Sequence, residues 1–599
     1  MTEKLNNEQV KKQGDKRFPW LYAFMLSLLF FAVMMTYILK QYDVSAEKFE
    51  LLKLKINASA DKLLVYPLSQ NGIEPDFSNP IAPVQFGDTL VFQLNKCRQF
   101  RLYFTTAGNY LFANEGSIVT ETGLQLPAFS RFERSVFYKP KAATFPLNII
   151  VDENAFLQVS KLNISKAEFM LFTGIAAAAS VLAAMLMLFL FGDFFKGLSI
   201  FSRLQIGAAA IFCLAIFLPL PAANIALMAS FLLLLKEFKL PRKRAAFLVA
   251  LPLFYFVWML VVTLYRSGVY YSPLIETSLP FFFLPLYFLC CSGFSFTKAF
   301  LPAALLLTLF FITAAIFDFS LFHNVGRFSF DAFTIYFHPV YYAYLIVFAI
   351  IVLVFQSSHY SNFQQGLAFA ILGAGLLFAG SKLMIGFATV FILQTVYRKH
   401  KIAAVAVAAV LMGVLLLFAP LRKRFLEIEN LNHLSIAKEN SISKNDARIN
   451  GLSIRIIIWQ ECLAELNSAG DLLLGKGTGK EVDDRLHNRL VKRGLVAGTT
   501  WYDPHNQYIA TLYRFGVPGL ICLLLMLASG IRLALKHNNQ LLLWSTLLLI
   551  VAMLTESILQ RAAGVYVFIC ILLPQTFVLL SNTANSIENR DFRHPGNPQ

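Results

Sequence analysis

The sequence predicts an all-α polytopic membrane protein of about fourteen transmembrane helices, with an extracytoplasmic β-sandwich domain inserted near its N-terminus. Three observations lead there. Hydrophobic residues fill 57% of the 599 positions and charged ones only 15%, with a mean hydropathy of +0.60; a soluble domain needs about 25% charged residues to solvate its surface. Apolar runs long enough to span a bilayer, about 20 residues, recur along most of the chain. Between residues 41 and 166 these runs stop, and apolar and polar residues alternate instead.

Residues 1–17 are polar and carry Lys4, Lys11, Lys12, Lys16 and Arg17, a cluster that the positive-inside rule keeps in the cytoplasm. The run 18–40 is too long for the apolar part of a cleavable signal and lacks a small-residue cleavage site, so it is expected to stay as a signal-anchor helix. In 41–166, Leu52, Leu54 and Ile56 interleave with Lys53 and Lys55, and Phe100, Leu102 and Phe104 with Arg101 and Tyr103; further such runs are 88–95, 145–152 and 156–164. A period of two broken by Pro, Gly and Asn predicts half-buried strands, and about 120 residues suffice for one core.

A second helix is expected over 167–191. Further candidate spans follow at 204–220, 222–236, 245–264, 273–291, 299–317, 338–356, 364–380, 383–397 and 402–419. Residues 167–419 thus hold spans two to eleven, 420–505 form a long outer loop, 506–581 hold the last three spans (506–535, 541–559, 563–581), and 582–599 are a cytoplasmic tail. The charges agree with this order. Inner loops carry Lys236, Lys239, Arg242, Lys243 and Arg244, then Arg398, Lys399 and Lys401, then Arg532 and Lys536, as the positive-inside rule requires. The outer loop 420–505 is the exception, with Arg422, Lys423, Arg424, Arg448, Arg455, Arg485, Arg489, Lys492 and Arg493. Long loops are largely exempt from the rule, and an anionic ligand would account for the excess. The net charge of +17 does not point to nucleic acid, because no separate basic soluble domain exists. The seven cysteines form neither a disulfide framework nor a zinc spacing.

This topology gathers four polar features on the outer face, where ionisable groups at membrane depth usually face a cavity. His505, after Pro504, suits a general base, since a neutral imidazole takes a proton near neutral pH; a helix-capping histidine fits the same spacing. Arg455, four residues before Trp459, offers a permanently charged fork for phosphate oxygens; a solvated arginine is the plainer alternative. Lys382, after Ser381 in a tight hairpin between two spans, suits either a lipid phosphate or the bilayer interface. His338-Pro339, followed by Tyr341 and Tyr342, suits a hydroxyl-binding group or an aromatic-belt anchor.

Gly475-Lys476-Gly477-Thr478-Gly479-Lys480 is not a nucleotide phosphate loop. That pattern needs four residues between its glycines and Ser or Thr after the Lys, whereas Glu481 follows Lys480. A glycine turn that shapes the loop is expected instead. No carboxylate pair reads as a glycosidase dyad, and no DxD-like motif sits in a soluble cytoplasmic domain, which argues against nucleotide-sugar donors.

Taken together, these residues resemble the bacterial O-antigen ligase and O-antigen polymerase family, which includes related protein O-oligosaccharyltransferases. The family signature is His, then Asn, Ser or Gln, nine residues, Gly, two residues, then Gly, Thr or Tyr; His505-Asn506 followed by Gly516-Val517-Pro518-Gly519 fits it. Arg455-x-x-x-Trp459 and Leu473–Gly479 precede it in the family's order. Ser381-Lys382 stands where the family usually has Ser-Arg, and a lysine there lacks the bidentate geometry of arginine. His338-Pro339 and Glu556 with Arg561 are also similar to family positions.

The resemblance implies a GT-C-like core of about twelve helices after residue 200 and a metal-independent transferase without a cofactor. Its donor would be a glycan on undecaprenyl diphosphate, and its acceptor a hydroxyl of lipid A-core, of another glycan or of a protein. His505 would deprotonate that hydroxyl, and Arg455, with Lys382 as a second cation, would stabilise the departing diphosphate. Asn506, His338, Arg448, Arg561 and Glu556 are the expected substrate-binding residues. The implied setting is the bacterial inner membrane, crossed many times among its lipids, with the site facing the periplasm. Ligation to lipid A-core leads, with glycan polymerisation and transfer to Ser or Thr of proteins as alternatives. A lipid-linked-glycan flippase is the rival of another class; against it, the ionisable residues gather on one face rather than along a path through the bundle.

Overall fold

In the computed structural model the described residues are positions within 27–38, strands between 42 and 163, 166–191, 246–267, 272–290, 296–322, positions 328, 333 and 334, 338–356, 360–402, 405, 451–495, 503–562 and 564–573. The expected spans 204–220 and 222–236, most of 402–419, the two termini, and Arg422, Lys423, Arg424 and Arg448 of the outer loop lie outside them. The chain divides into two compact units, one of residues 1–188 with 313–327, the other of 189–312 with 328–599.

In the first unit the alternating stretch forms strands. A five-stranded antiparallel sheet runs Val84–Phe86, Thr89–Cys97, Phe49–Lys55, Ser117–Thr120, Gln125–Pro127; a four-stranded one runs Phe132–Glu133, Phe156–Val159, Phe100–Phe104, Leu63–Pro67. The register explains the alternation: Leu52 pairs with Phe92 and Leu54 with Leu90, and all four are buried, as are Val65 and its partner Leu102. Leu51 and Lys53, beside them on the same strand, are only partly buried. A short parallel pairing of Tyr42–Asp43 with Leu162–Asn163 brings the two ends of this segment together. That geometry suits a domain inserted between two helices. The first of these shows helical positions between 27 and 38, with Phe30, Met34 and Ile38 buried at a spacing of four. The second, α1, spans Lys166–Phe191.

The second unit is helical. Its elements are α2 (Ala246–Ser267), α3 (Pro273–Ser278), α4 (Pro280–Cys290), α5 (Phe296–Phe322, which the first unit shares), α6 (Pro339–Phe355), α7 (Asn362–Ala379), α8 (Lys382–Lys399), α9 (Gly451–Glu465), α10 (Ala469–Leu474), α11 (Lys480–Lys492), α12 (Gln507–Lys536) and α13 (Gln540–Thr555), followed by a helix over 564–573. Four described helical stretches are long and apolar enough to cross a membrane: Phe169–Met187, Ala299–Ile316, Asn362–Ala379 and Gln507–Lys536. Shorter apolar helices stand at Ala250–Arg266, Pro339–Phe355, Gln540–Thr555 and Gly564–Leu573. The expected continuous span 273–291 is corrected: it breaks into α3 and α4 at Leu279-Pro280, because Pro280 has no N–H to continue the hydrogen-bond ladder.

The placement of α6 organises this unit. From Tyr341 to Leu353 every residue is buried, the pattern of a helix surrounded by protein rather than one with a single apolar stripe. It packs against α7, α8 and α13, while α12 packs against α2 and α13. Tyr342 of α6 donates to Thr308 of α5 (2.9 Å), which satisfies a hydroxyl that burial would otherwise penalise.

Candidate active site

Residues 451–495, within the expected outer loop, fold as a three-helix block on α12. Ile454, Ile457, Ile458 and Cys462 along α9, with Leu466 just after it, meet Val482, Leu486 and Leu490 of α11, with Tyr513 of α12 in the same core. Val482, Leu486 and Leu490 recur every four residues, the spacing that puts side chains on one face of a helix. Polar latches close the block: Tyr513 donates to Glu465 (2.7 Å), Arg489 and Arg493 both reach Glu461, and Arg514 reaches Asp483 (2.7 Å). Part of the basic excess of this loop is therefore neutralised within it, by Glu461. Burial pushes the Cys462 thiol up to about 12, so it is not a thiolate at neutral pH.

The two glycine-bearing motifs meet here. Gly516 has φ +65 and ψ −168, which interrupts α12, and Gly475 at φ +71 lies against it. A Cβ on Gly516 would collide with the Leu473 carbonyl, and one on Gly475 would come within 2.5 Å of the Arg514 carbonyl. The interruption frees helix carbonyls, and specific donors take them. Lys476 N–H donates to Tyr513 O and Gly477 N–H to Arg514 O, both at 2.8 Å; the second fills the place of the N–H that Pro518 lacks. Trp258 of α2 donates to Phe515 O (2.8 Å). The glycine loop is fixed from its other side, where Thr478 shares hydroxyl hydrogen bonds with Ser272 (2.8 Å) and Thr263 (3.0 Å). Asp471 binds Arg266 and Lys476, both at 3.0 Å. Burial opposes its ionisation, but Lys476, Ser468 and Arg266 outweigh that and hold the carboxyl below its ordinary range.

His505 sits on the turn that enters α12, at φ +46, an uncommon conformation for a side-chain-bearing residue. Its surroundings impose it. Asp503 accepts the His505 N–H (2.8 Å), Trp459 donates to Pro504 O, and Asn506 caps α12 by accepting from Tyr508 and Ile509 N–H while donating to Leu554 O (3.1 Å). The Asn506 amide is thereby committed to the turn. Arg455 and Trp459 are four apart on one face of α9, so a single face holds both sides of the histidine.

The centre of the cluster is Glu556, which follows α13 and is 3% exposed. Its Oε1 lies 3.1 Å from Arg455 Nη2, and its Oε2 lies 3.1 Å from His505 Nδ1. Burial raises the affinity of this carboxyl for a proton. Its hydrogen bond with His505 and its electrostatic interactions with His505, His338 and Arg455 lower it, and the net shift is downward. The next residue, Ser557, accepts the Asn506 N–H (3.2 Å) and, through its carbonyl, the Tyr341 hydroxyl (3.2 Å). The Arg561 guanidinium lies 5.4 Å from the centre of the Tyr341 ring, within cation–π range, and the His338 ring stands edge-on to Tyr341.

The fold thus joins Arg455, His505, Asn506 and Glu556 directly, with His338 and Arg561 gathered around Tyr341. Lys382 is placed by the hairpin: α7 ends in left-handed Gly380, and Ser381 starts α8. Arg448 lies outside the described residues. Asp503, Trp258 and Ser557 were not among the expected site residues; Asp503 alone had a local signal, two positions before His505. Among the described residues no three His, Cys, Asp or Glu side chains converge as metal ligands.

Residues 367–524 match the family model of the O-antigen ligase. This segment is similar to the O-antigen ligase family. This match supports a glycan transferase of the ligase or polymerase type, and with the apolar helices an integral membrane protein. The matched segment takes in the hairpin of Lys382, Arg455, the glycine loop, His505 and the kink at Gly516; His338, Glu556 and Arg561 lie beyond its bounds. No curated protein is matched by the chain.

Chemically, the arrangement does two things. With Nδ1 facing a buried carboxylate, His505 can donate a hydrogen bond there and keep its lone pair on Nε2, the tautomer a general base needs. Arg455 has five donors in a rigid fork, and Glu556 fixes it beside that imidazole.

Proposed function

We propose that this protein is a metal-independent glycosyltransferase of the inner membrane that moves a glycan from undecaprenyl diphosphate to an acceptor hydroxyl, with lipid A-core as the acceptor of an O-antigen-like glycan. The observation that carries this proposal is the shared Glu556, which holds a base and a permanent cation side by side. His505 Nε2 takes the acceptor proton as the acceptor oxygen bonds to the anomeric carbon. The bond from that carbon to the diphosphate oxygen breaks, and its electron pair leaves with the diphosphate. Negative charge grows on that leaving group, where a preorganised Arg455 helps most, with Lys382 as a second cation. Arg448, His338 and Arg561 are the further substrate contacts, while Asn506 and Glu556 position the base. The site faces the periplasm, about fourteen helices span the bilayer, and residues 41–166 form a periplasmic β-sandwich.

The test is glycan transfer by purified protein from lipid-linked donor to lipid A-core, followed by gel shift. Product on lipid A-core that disappears in His505→Ala and Arg455→Ala, with folding intact, is expected. Longer glycans on the carrier without that acceptor would make the enzyme a polymerase, and transfer only to protein a protein O-oligosaccharyltransferase.

A further inference from the structure

A cleft of about 480 Å³ opens beside the His505 turn, between α3 and α11. This volume falls within the range of about 300–1,000 Å³ typical of small-ligand sites. Its walls include Asp503, Pro504, Lys480, Asp483, Asp484 and Gln560. Asp503 links it to the proposed chemistry, because the same carboxylate accepts the His505 N–H and lies 3.5 Å from His505 Nδ1.

The lining favours one ligand chemistry. Of its three carboxylates, Asp483 is neutralised by Arg514. Asp484 and Asp503 then outnumber Lys480, an excess of negative charge that repels a diphosphate. Carboxylates are acceptor-only groups suited to hydroxyl donors. Gln560 supplies an amide whose Nε2 is buried and takes no acceptor from the described residues, and such donors are nearly always paired in a working site. Pro273 and Pro504 add apolar surface for the C–H faces of a ring. Acceptors for hydroxyls, an amide donor and apolar rings together suit a neutral polyhydroxylated ligand.

We propose that this cleft binds the saccharide of the acceptor, and that the acceptor is therefore a glycan rather than a peptide hydroxyl. This inference rests on the transferase proposed above. It assigns the diphosphate and the acceptor to different groups: the diphosphate to Arg455, the acceptor sugar to Asp484, Asp503 and Gln560.

The test uses purified full-length chain as wild type, Asp484→Asn and Gln560→Leu. The saccharide released from lipid A-core by mild acid is titrated in the absence of donor, with binding read by saturation-transfer NMR. Each variant is expected to bind about fivefold more weakly, the loss of one hydrogen bond. Transfer assays on the same preparations are expected to show the acceptor half-saturation raised by a similar factor and the donor half-saturation unchanged. Asp484→Asn is isosteric at a half-buried position, so it keeps the test valid if Gln560→Leu fails to fold. Equal binding by wild type and variants overturns the proposal, and so does a rise in donor rather than acceptor half-saturation. Saturable binding of a Ser/Thr peptide in place of the saccharide overturns it too. Saccharide binding that the variants weaken, in a wild type that transfers no glycan, keeps the cleft and overturns the transferase instead.

Discussion

His505 Nδ1 and Glu556 Oε2 lie 3.1 Å apart across 51 positions of sequence, and the other oxygen of the same carboxylate holds Arg455. One buried anion therefore sets both the tautomer of the proposed base and the position of the proposed cation.

Replacing that anion by its isostere separates charge from shape. Glu556→Gln keeps the volume but no longer favours a proton on His505 Nδ1. Turnover in glycan transfer is expected to fall by up to the 10²–10⁴-fold that a general base typically contributes, with donor half-saturation changed far less. A fall in donor affinity at unchanged turnover would make Glu556 a substrate contact instead.

The same carboxylate predicts a pH effect on stability. Its folded-state value lies below the ordinary 4.5. Its ionised form thus contributes stability in full above pH 4.5, and that contribution is lost as pH falls through the lower folded value. The thermal midpoint of wild type in detergent is expected to fall across this acid window more steeply than that of Glu556→Gln. Parallel profiles would contradict the ion-pair assignment.

At the kink, Gly516→Ala places a methyl against the Leu473 carbonyl at a positive φ. Strain of this kind costs on the order of 1–3 kcal/mol before the overlap is counted. Gly373 of α7 meets nothing within 4 Å, so Gly373→Ala is expected to be neutral or slightly stabilising. Thermostability measured by fluorescence-detected size exclusion compares the two; equal behaviour would mean the glycine loop does not dock on α12.

Trp258→Phe removes the donor to the Phe515 carbonyl and keeps a smaller aromatic ring in its place. A loss of about 0.5–1.5 kcal/mol is expected, read as a lower thermal midpoint with monodispersity kept.

Much of this was legible in the sequence where the signal is local. The period-two runs became strands with Leu52 and Leu54 buried in register. Arg455 and Trp459, four apart, share a helix face that holds the His505 turn. The glycine motif shapes its loop, as its composition suggests. What stayed hidden depends on contacts between distant positions. The role of Glu556 needs α13 to end beside α12. Trp258 reaches Phe515 across 257 positions, and an apolar span gives no hint of that. Arg489 and Arg493 of the loop looked available for ligand until Glu461 was found to face them. The break between α3 and α4 was masked by hydrophobicity that continues through Pro280.

The most direct test of the central claim is the single-turnover rate of glycan transfer from lipid-linked donor to lipid A-core in His505→Ala against wild type, both at saturating donor and acceptor. A rate lower by about 10²–10⁴-fold, in a variant that elutes and melts as wild type does, is the expected result for loss of a general base. Transfer at the wild-type rate would contradict it.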